Sequence, residues 1–302
     1  QRPAKPFTPV RFRIQPPIIM KIGIIGYGFV GKALFNGLTE NVDVLKIDPK
    51  LNNSIDKILD FNPQIIFICL PTPMKTDGSQ DISIVKTVLD YLSKINISSL
   101  IVVKSTIHPG NISEIENIVP NFIYNPEFLR EKHANQDFLN SDLIVFGGKK
   151  NSVKKVAEFY SSYTKCVCKD YVFTDTCAAS LIKYSINSFL ATKTIFFNEM
   201  HNLFLSSQTN EKWENFIKFI ANDKRIGDSH MMVPGHDGRY GFGGACLPKD
   251  SAAIIKFAES LDIELGTLKN VVSTNNKIRA KYNSNTNRED DQNINYDIFD
   301  KE

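Results

Sequence analysis

The first half of the chain alternates short apolar runs with longer segments whose apolar residues recur at helical spacing. Runs such as KIGII, VDVLKID, QIIFICL and LIVV have the length of buried strands, while DISIVKTVLDYLSKI has the period of an amphipathic helix. Strands separated by helices of this length indicate an α/β fold with a doubly wound parallel sheet. The last run of this region, CVCKDYVF, predicts a strand that includes Cys166 and Cys168.

After residue 173 the strand pattern stops and only helical periodicity remains. Residues 174–208 predict one long helix, for which Asp175 or Thr176 is a suitable N-cap. Further helical periods cover residues 210–223, 248–261 and 265–282. This part of the chain is therefore predicted to be an all-helical domain that packs on the sheet and supports a homodimer.

The two ends differ in composition from the rest. Residues 1–19 hold four basic groups, no acidic ones and five prolines, and are predicted to be a non-native or disordered extension. Residues 283–302 hold six acidic and two basic groups among polar residues, and are predicted to be a disordered tail. Between them we expect one domain at residues 20–173 and a second at residues 174–282.

Composition narrows the class of protein. The 302 residues are 42% hydrophobic and 23% charged, as in ordinary globular proteins, and the formal net charge is +3. That charge is too small to indicate a nucleic-acid partner, and no apolar run is long enough to cross a membrane. Five cysteines without a regular framework favour a reducing compartment, so we expect a cytoplasmic protein. The Cys166–Cys168 spacing is not that of a zinc site, and no metal is expected.

A glycine motif follows the first predicted strand. Gly26-x-Gly28-x-x-Gly31 lies between this strand and a helix, and Asp48 ends the second strand. In a Rossmann-type dinucleotide fold such glycines form a tight turn at a helix N-terminus, where a pyrophosphate binds, and the acid binds a ribose. A fortuitous glycine turn is the alternative. A carboxylate at position 48 would repel a 2′-phosphate, so the motif predicts NAD rather than NADP.

Three polar segments follow later strands of the same predicted sheet. They are residues 71–73 (PTP), 104–106 (KST) and 125–131 (NPEFLRE). Ligands of such sheets bind beyond the carboxyl ends of the strands. Each segment alone could be an ordinary loop, but together they are candidates for lining one cleft.

One cysteine stands between a glycine cluster and a predicted helix start, in GFGGACLPKD at residues 241–250. Pro248 suits the first turn of a helix and Asp250 is favoured there by the helix dipole. Cys246 then lies at the positive end of the helix, a position expected to lower the thiol pKa and favour a nucleophilic thiolate. The alternative is a small buried cysteine beside a turn.

The long predicted helix carries polar residues on one face. Lys183, Asn187 and Asn198 are separated by whole turns among Ile, Leu and Phe residues. A solvated stripe is one interpretation; an amine that enters a cleft while its stem is buried is the other. A thiolate beside NAD would attack an aldehyde and yield a thioester. Lys183 and Asn187 would stabilise the oxyanion. Asp250 or Glu127 would move protons.

The chain from Met20 to about Tyr282 resembles the UDP-glucose/GDP-mannose dehydrogenase family. The resemblance rests on motifs in family order: GIIGYGFVG, PTP, KSTIHPG, YNPEFLRE, LIKYSINSFLATKTIFFNEM, RIG at residues 225–227, and GFGGACLPKD. It implies oxidation of a nucleotide sugar, by default UDP-glucose, from the C6 alcohol to a carboxylate with two NAD. One alternative is a β-hydroxyacid dehydrogenase that makes a single oxidation without a thiol. Another is a non-catalytic NAD-binding or dimerising fragment.

The resemblance also implies roles for individual residues. Cys246 is similar to the nucleophile, and Lys183 and Asn187 to the oxyanion pair. Asp250 and Thr106 resemble the groups that handle a proton and a water, and Glu127 the group that aids thioester hydrolysis. Positions similar to NAD contacts are Val30, Asp48, Thr72, Thr106, Glu131 and Lys249, besides Gly26, Gly28 and Gly31. Positions similar to sugar-nucleotide contacts are Glu127, Phe128, Leu129, Arg130, Lys183, Asn187, Arg225 and Gly243.

Two departures from the family pattern bear on these roles. Arg225 resembles an arginine that reaches the neighbouring subunit's site, but its sequence distance to Cys246 is longer here, so a surface arginine is the alternative. The family's third domain, which closes over the nucleotide of the substrate, has no counterpart after Tyr282. A truncated record, a short variant, or a separate chain that supplies this domain would each explain that.

Overall fold

The computed structural model of the protein describes residues 19–168 and 170–299. Residues 1–18 of the predicted extension lie outside the described residues. Within the described residues, seven strands lie between positions 20 and 174: β1 (Met20–Ile25), β2 (Val42–Ile47), β3 (Ile65–Ile68), β4 (Leu100–Val103), β5 (Phe122–Tyr124), β6 (Ile144–Gly148) and β7 (Tyr171–Thr174).

The strands form one sheet in the order β2-β1-β3-β4-β5-β6-β7. Neighbouring strands are parallel except β5 and β6, which pair antiparallel. The predicted α/β fold with a doubly wound sheet is confirmed, with this one reversed strand. Because antiparallel neighbours are joined at one end of a sheet, residues 125–143 remain at the carboxyl end of β5, where the candidate site lies.

Helices flank the sheet and form the second half of the chain. They are α1 (Phe29–Asn36), α2 (Lys57–Phe61), α3 (Ser83–Lys94), α4 (Pro109–Ile115), α5 (Ala134–Leu139), α6 (Lys150–Tyr163), α7 (Thr176–Ser206), α8 (Trp213–Ala221), α9 (Leu247–Glu259), α10 (Gly266–Arg279) and α11 (Asn287–Asp290). Cys166 and Cys168 precede β7 rather than lying in it, which corrects the predicted strand. Both are buried against the core beneath α6.

Apolar side chains on both faces of the sheet explain why its strands read as near-continuous hydrophobic runs. Ile22 and Ile24 of β1 pack with Phe67 and Phe146 on one side, and Ile66 and other residues of β3 and β4 pack on the opposite side. Burial on both faces is typical of strands covered by crossover helices. The sheet is therefore a rigid base for the loops at its carboxyl edge.

The long helix α7 joins the sheet region to the helical region. Asp175 is its N-cap, and the Asp175 side chain accepts a hydrogen bond from the backbone N–H of Ala178 at 2.8 Å, as predicted. Farther along the helix, Tyr184, Ala191 and Ile195 pack with α9 and α10 in a separate apolar cluster. One helix thus carries side chains from the sheet edge to the start of α9.

Residues 283–299 are folded, which corrects the predicted disordered tail over this range, and residues 300–302 of that tail lie outside the described residues. The segment begins with a capping box between Thr286 and Glu289 at the start of α11. Its two isoleucines, Ile294 and Ile298, are 4% and 9% exposed and pack against Met74 and Ala252. Composition predicted disorder because the segment is polar, but two apolar anchors and a buried acid are enough to hold it on the protein.

Candidate active site

Cys246 lies at the N-terminal end of α9, directly after the glycine loop. It is the N-cap residue, and its side chain makes no capping hydrogen bond. Pro248 and Asp250 occupy the first turn, as the sequence predicts. The backbone N–H of Asp250 donates to the Cys246 carbonyl at 2.9 Å, so the helix begins at the cysteine itself.

Two carboxylates and two ammonium groups act on the Cys246 thiol. Burial raises the pKa of Cys246 most, Glu127 and Asp250 raise it further, and Lys249 and Lys183 lower it. The net effect moves the thiol pKa from an ordinary 9.0 to about 11. The expectation of a lowered thiol pKa is therefore wrong. It considered the helix end alone, whereas burial and two carboxylates outweigh the cations.

Lys183 enters the site from the buried face of α7. Its ammonium group donates to the backbone carbonyl of Glu127 at 2.6 Å and lies 3.4 Å from Oε1 of the same residue. Burial alone would lower the pKa of Lys183, but its neighbours, with the Glu127 carboxylate first among them, outweigh burial and raise that pKa. Lys183 therefore remains a cation at neutral pH.

The solvated-stripe interpretation of the α7 polar residues is wrong. Lys183, Asn187 and Asn198 are 3%, 6% and 3% exposed. Asn187 donates through Nδ2 to Oδ2 of Asp250 at 2.6 Å, and Lys249 donates through Nζ to Oδ1 of Asp250, also at 2.6 Å. Because both carboxylate oxygens are engaged, Asp250 is fixed at 1% exposure next to the cysteine.

The polar segments after β3, β4 and β5 converge as predicted. Thr72 donates through its hydroxyl to the backbone carbonyl of Thr106 at 2.8 Å, which joins the first two segments. Gln80 donates to the same carbonyl at 2.8 Å and to the hydroxyl of Tyr184 on α7 at 3.0 Å. These bonds connect the loops at the sheet edge to the helix that carries Lys183.

The third segment supplies a buried carboxylate. Glu127 is 6% exposed, and its Oε2 accepts a hydrogen bond from the backbone N–H of Leu129 at 2.5 Å. The ring centroid of Phe128 lies 5.3 Å from the Lys183 ammonium group. Glu127, Phe128 and Leu129 are thus gathered around Lys183.

The glycine turn after β1 leaves open space at one position. A Cβ on Gly26 would lie 2.4 Å from the carbonyl oxygen of Cys69, and one on Gly31 would lie 2.2 Å from the carbonyl oxygen of Gly26. A Cβ on Gly28 would meet nothing within 4 Å. Gly26 and Gly31 are therefore required by the turn itself, while Gly28 faces a space at the N-terminus of α1 that suits a pyrophosphate.

The remaining parts of the predicted dinucleotide site lie beside this turn. Val30 is half-buried on α1. The Asp48 carboxylate accepts hydrogen bonds from the backbone N–H groups of Tyr27 at 2.7 Å and Lys50 at 2.9 Å. These two bonds orient Asp48 and leave it lone pairs for a ribose hydroxyl.

Comparison with protein families decides the class of this site. Residues 50–164 match the NAD-binding domain of the UDP-glucose/GDP-mannose dehydrogenase family, and residues 177–277 match the central domain of that family. The chain belongs to the UDP-glucose/GDP-mannose dehydrogenase family. The predicted cofactor NAD is therefore confirmed, and the open cradle at Gly28 with Asp48 beside it fits that cofactor.

Individual relatives agree with this family. The chain is 38% identical over 222 residues to a UDP-glucose 6-dehydrogenase of Rickettsia bellii, covering 71% of this chain and 49% of that protein. It is 31% identical to a putative UDP-glucose 6-dehydrogenase of Bacillus subtilis, covering 85% and 67%. The structure of a UDP-glucose dehydrogenase from Pyrobaculum islandicum superposes with a TM-score of 0.66 at 26% identity, covering 87% and 70%. The chain spans about half the length of the Rickettsia relatives that it matches.

Two of the arginines that the family resemblance assigns to the substrate form ion pairs on the protein surface. Arg130 forms an ion pair with Asp137 at 2.7 Å, with 64% of its side chain exposed. Arg225 pairs with Asp223 at 2.6 Å, with 89% exposed. The structure thus places both arginines in local surface pairs rather than against the buried cluster around Cys246.

Two further implied residues contact the C-terminal segment. Glu131, a predicted NAD contact, pairs with Arg288 of α11 at 2.8 Å. A Cβ on Gly243, a predicted sugar-nucleotide contact, would lie 2.3 Å from a guanidinium nitrogen of Arg279 and 2.5 Å from Oε1 of Glu289. Gly243 is therefore needed for close packing on this buried ion pair.

Lys104, the first residue of the predicted polar segment at 104–106, is buried behind the site. Lys104 is 4% exposed and donates to Oδ1 of Asn125 at 2.9 Å. Burial lowers the pKa of Lys104 to about 8, against opposing effects of Cys69 and Glu127. Its position between a strand and Ser105 was the available signal, since a lysine that directly follows four apolar strand residues is expected to be buried.

Neither a membrane-spanning helix nor a cluster of metal-ligating side chains occurs in residues 19–168 and 170–299. Within these ranges, no helix has the length and apolar character needed to cross a membrane. The same ranges hold no group of three or more His, Cys, Asp or Glu side chains arranged to bind a metal ion.

Proposed function

We propose that this protein oxidises a nucleotide sugar, by default UDP-glucose, from the C6 alcohol to the carboxylate with two NAD. The observation that carries this proposal is the buried cluster at the start of α9. There a cysteine is surrounded by Lys183, Lys249, Glu127 and Asp250. A single-step alcohol oxidation has no use for such a thiol, whereas acid formation through a thioester requires one.

Cys246 would act after the alcohol has become an aldehyde. Its sulfur forms a bond to the aldehyde carbon and gives a thiohemiacetal. With a pKa of about 11 the thiol is protonated at rest, so its proton must leave as the sulfur attacks. Glu127 and Asp250 are the carboxylates near enough to affect this thiol and are the candidate bases.

Lys183 and Asn187 would stabilise the oxygen that becomes an anion. Both donors are buried on one face of α7, and hydrogen bonds to Glu127 and Asp250 hold them in place. A charged donor in a site with little water contributes more to an oxyanion than it would in solvent. Removal of Lys183 should therefore slow both tetrahedral stages.

Electrons and atoms balance over two oxidations and one hydrolysis. NAD, when bound, accepts one hydride in each oxidation. In the first oxidation the C6 hydrogen leaves as that hydride, and the hydroxyl proton would pass to Asp250 with Thr106. The second converts the thiohemiacetal into a thioester. Water then attacks with the help of Glu127, the carbon–sulfur bond breaks, and the thiol of Cys246 is restored with a free carboxylate.

Counting NADH per sugar consumed tests this proposal. Purified protein is incubated with NAD and a panel of UDP- and GDP-sugars. The thioester route predicts about two NADH per sugar and an acid product, and Cys246→Ser is expected to form no acid. One NADH per sugar with an unimpaired Cys246→Ser chain would indicate a β-hydroxyacid-type reaction. Tight NAD binding without NADH from any sugar would indicate a non-catalytic fragment.

The domain organisation, assembly and compartment belong to the same proposal. We place the boundary between the NAD-binding and helical domains at residues 173 and 174, between the two matched family segments.

A homodimer is supported by Phe189, Phe196 and Leu203, which are 62%, 52% and 60% exposed along one face of α7. In a dimer, Arg225 would be free to approach the partner's site. Five cysteines support a cytoplasmic location.

A further inference from the structure

The backbone of the glycine loop before Cys246 is held by side chains from distant parts of the chain. Asn198 of α7 accepts from the N–H of Gly241, and Asn275 of α10 accepts from that of Phe242, at 2.9 and 2.7 Å. Glu289 of α11 accepts from the N–H of Gly244 at 3.2 Å. Gly244 has a φ of +79°. Because glycine adopts many backbone conformations, this one has to be held by contacts with other residues. Of these three contacts, the one made by Glu289 is nearest to the cysteine, because Gly244 lies two residues before Cys246.

Glu289 is a fully buried carboxylate that is itself tightly held. It is 0% exposed, and its Oε1 accepts from Arg279 at 2.7 Å and from the Tyr296 hydroxyl at 2.5 Å. Its Oε2 accepts from the backbone N–H of Thr286 at 2.7 Å. Burial alone would raise the pKa of Glu289, but these hydrogen bonds and the Arg279 charge lower it. Glu289 is therefore an anion fixed in one place.

The segment that carries Glu289 is anchored on the NAD-binding domain. The backbone N–H of Met74, directly after the PTP motif, donates to the carbonyl of Gln292 at 3.0 Å. Arg288 pairs with Glu131 at 2.8 Å. Glu289 thus connects the loop of the cysteine, in the helical domain, to the domain that binds NAD.

We propose that Glu289, fixed by Arg279, is a positioning residue that sets the location of the Cys246 thiol through the N–H of Gly244. The proposal rests on the function proposed above, in which the thiol must meet a substrate carbon. A displacement of about 1 Å at a reacting group can cost roughly 100-fold in rate. Loss of this contact should therefore lower kcat without preventing NAD binding.

Glu289→Asp tests this with Tyr296→Phe as the matched control. Aspartate keeps the buried charge next to Arg279 but is one methylene too short to reach both Arg279 and Gly244. Tyr296→Phe removes a hydrogen bond to the same Oε1 and leaves the Gly244 contact. We expect Glu289→Asp to lower kcat by about ten-fold or more, with KM for NAD within about two-fold. Tyr296→Phe should keep both parameters near those of the unsubstituted protein.

Alkylation of single cysteines by iodoacetamide, read by mass spectrometry, provides a readout independent of turnover. Labelling of the exposed Cys177 measures the activity of the reagent. Labelling of the buried Cys166 and Cys168 measures global opening of the protein. We expect Glu289→Asp to raise the Cys246 labelling rate several-fold relative to Cys177, while Cys166 and Cys168 stay protected. Tyr296→Phe should label like the unsubstituted protein.

The remaining outcomes each overturn the positioning role. If Glu289→Asp leaves the Cys246 labelling rate unchanged, Glu289 does not set the location of the thiol, whether or not kcat changes. Faster labelling with unchanged kcat shows that this contact does not matter for turnover. Labelling of Cys166 and Cys168, or failure to fold, makes Glu289 a residue of general stability. If the unsubstituted protein forms no NADH, the proposed function fails, and the labelling comparison alone still decides whether Glu289 holds the thiol.

Discussion

The molecule uses two glycine-rich turns in front of two helices, and each is stabilised differently. The turn before α1 is held by the main chain of the sheet. The N–H of Gly26 donates to the carbonyl of Ile47 at 2.8 Å, and the side of Gly26 that would carry a Cβ lies against the carbonyl of Cys69. Neighbouring strands thus fix this turn, and its conformation needs no partner outside the Rossmann-type domain.

The turn before α9 has no sheet beneath it. Its N–H groups are held by side chains that lie 43, 33 and 45 residues away in the sequence, namely Asn198, Asn275 and Glu289. The first turn presents an open space beside the N-terminus of α1, whereas the second carries the Cys246 thiol. The first turn is held by the main chain of neighbouring strands, while the turn that carries the thiol depends on side chains from three helices.

The largest effect is expected in the first turn, from Gly31→Ala. A Cβ there would lie 2.2 Å from the carbonyl oxygen of Gly26, a backbone atom that cannot move aside cheaply. We expect a loss of about 3 kcal/mol or more in the free energy of unfolding, measured by urea denaturation. The reason is that α1 must shift away from β1.

Gly28→Ala is the matched control for that change. Its Cβ would meet nothing within 4 Å, and Gly28 has an ordinary φ of −75°, so stability should change by less than about 0.5 kcal/mol. NAD affinity should nevertheless fall, because the new methyl group enters the space next to the helix N-terminus. Equal destabilisation by both substitutions, or unchanged NAD binding in Gly28→Ala, would refute this division of roles between the glycines.

A smaller effect is expected from the titration of the thiol in the second turn. The folded pKa of Cys246 is raised from 9.0 to about 11, so its contribution to stability is complete below about pH 9 and is lost as pH rises towards 11. The loss should approach about 2 kcal/mol relative to Cys246→Ser, which has no thiol to ionise. Urea denaturation of both chains between pH 8 and 11 measures it. Parallel pH curves would show that the thiol is not held in a buried, anionic environment.

The sequence was most informative where chemistry is carried by local motifs. Gly26, Gly28 and Gly31, the helix start at Cys246, and the helical spacing of Lys183 and Asn187 all lead directly to positions that the structure confirms. These features depend on backbone turns and on the period of one helix. They need no knowledge of the rest of the fold.

Long-range electrostatics and packing explain the misses. The thiol pKa is raised in part by the charge of Glu127, which belongs to the other half of the chain, and no local pattern predicts that interaction. Glu289 stands in a polar, acidic stretch typical of disorder, and its partner Arg279 lies on a different helix. The only local hint of order was the alternation of Ile294, Tyr296 and Ile298, which is too short to outweigh the composition.

The proposed mechanism requires a covalent bond between Cys246 and the sugar, which the Glu127→Gln substitution should make visible. Glu127→Gln removes the carboxylate that assists water attack but leaves Asp250 to take the thiol proton, so the thioester should form and outlast the oxidations. Mixed with NAD and UDP-glucose, this chain should give a burst of about two NADH per site. After acid quenching, the peptide that contains Cys246 should carry the mass of the bound sugar nucleotide, and Cys246→Ser should show neither. Steady NADH formation with the Cys246 peptide at its unmodified mass would contradict the account.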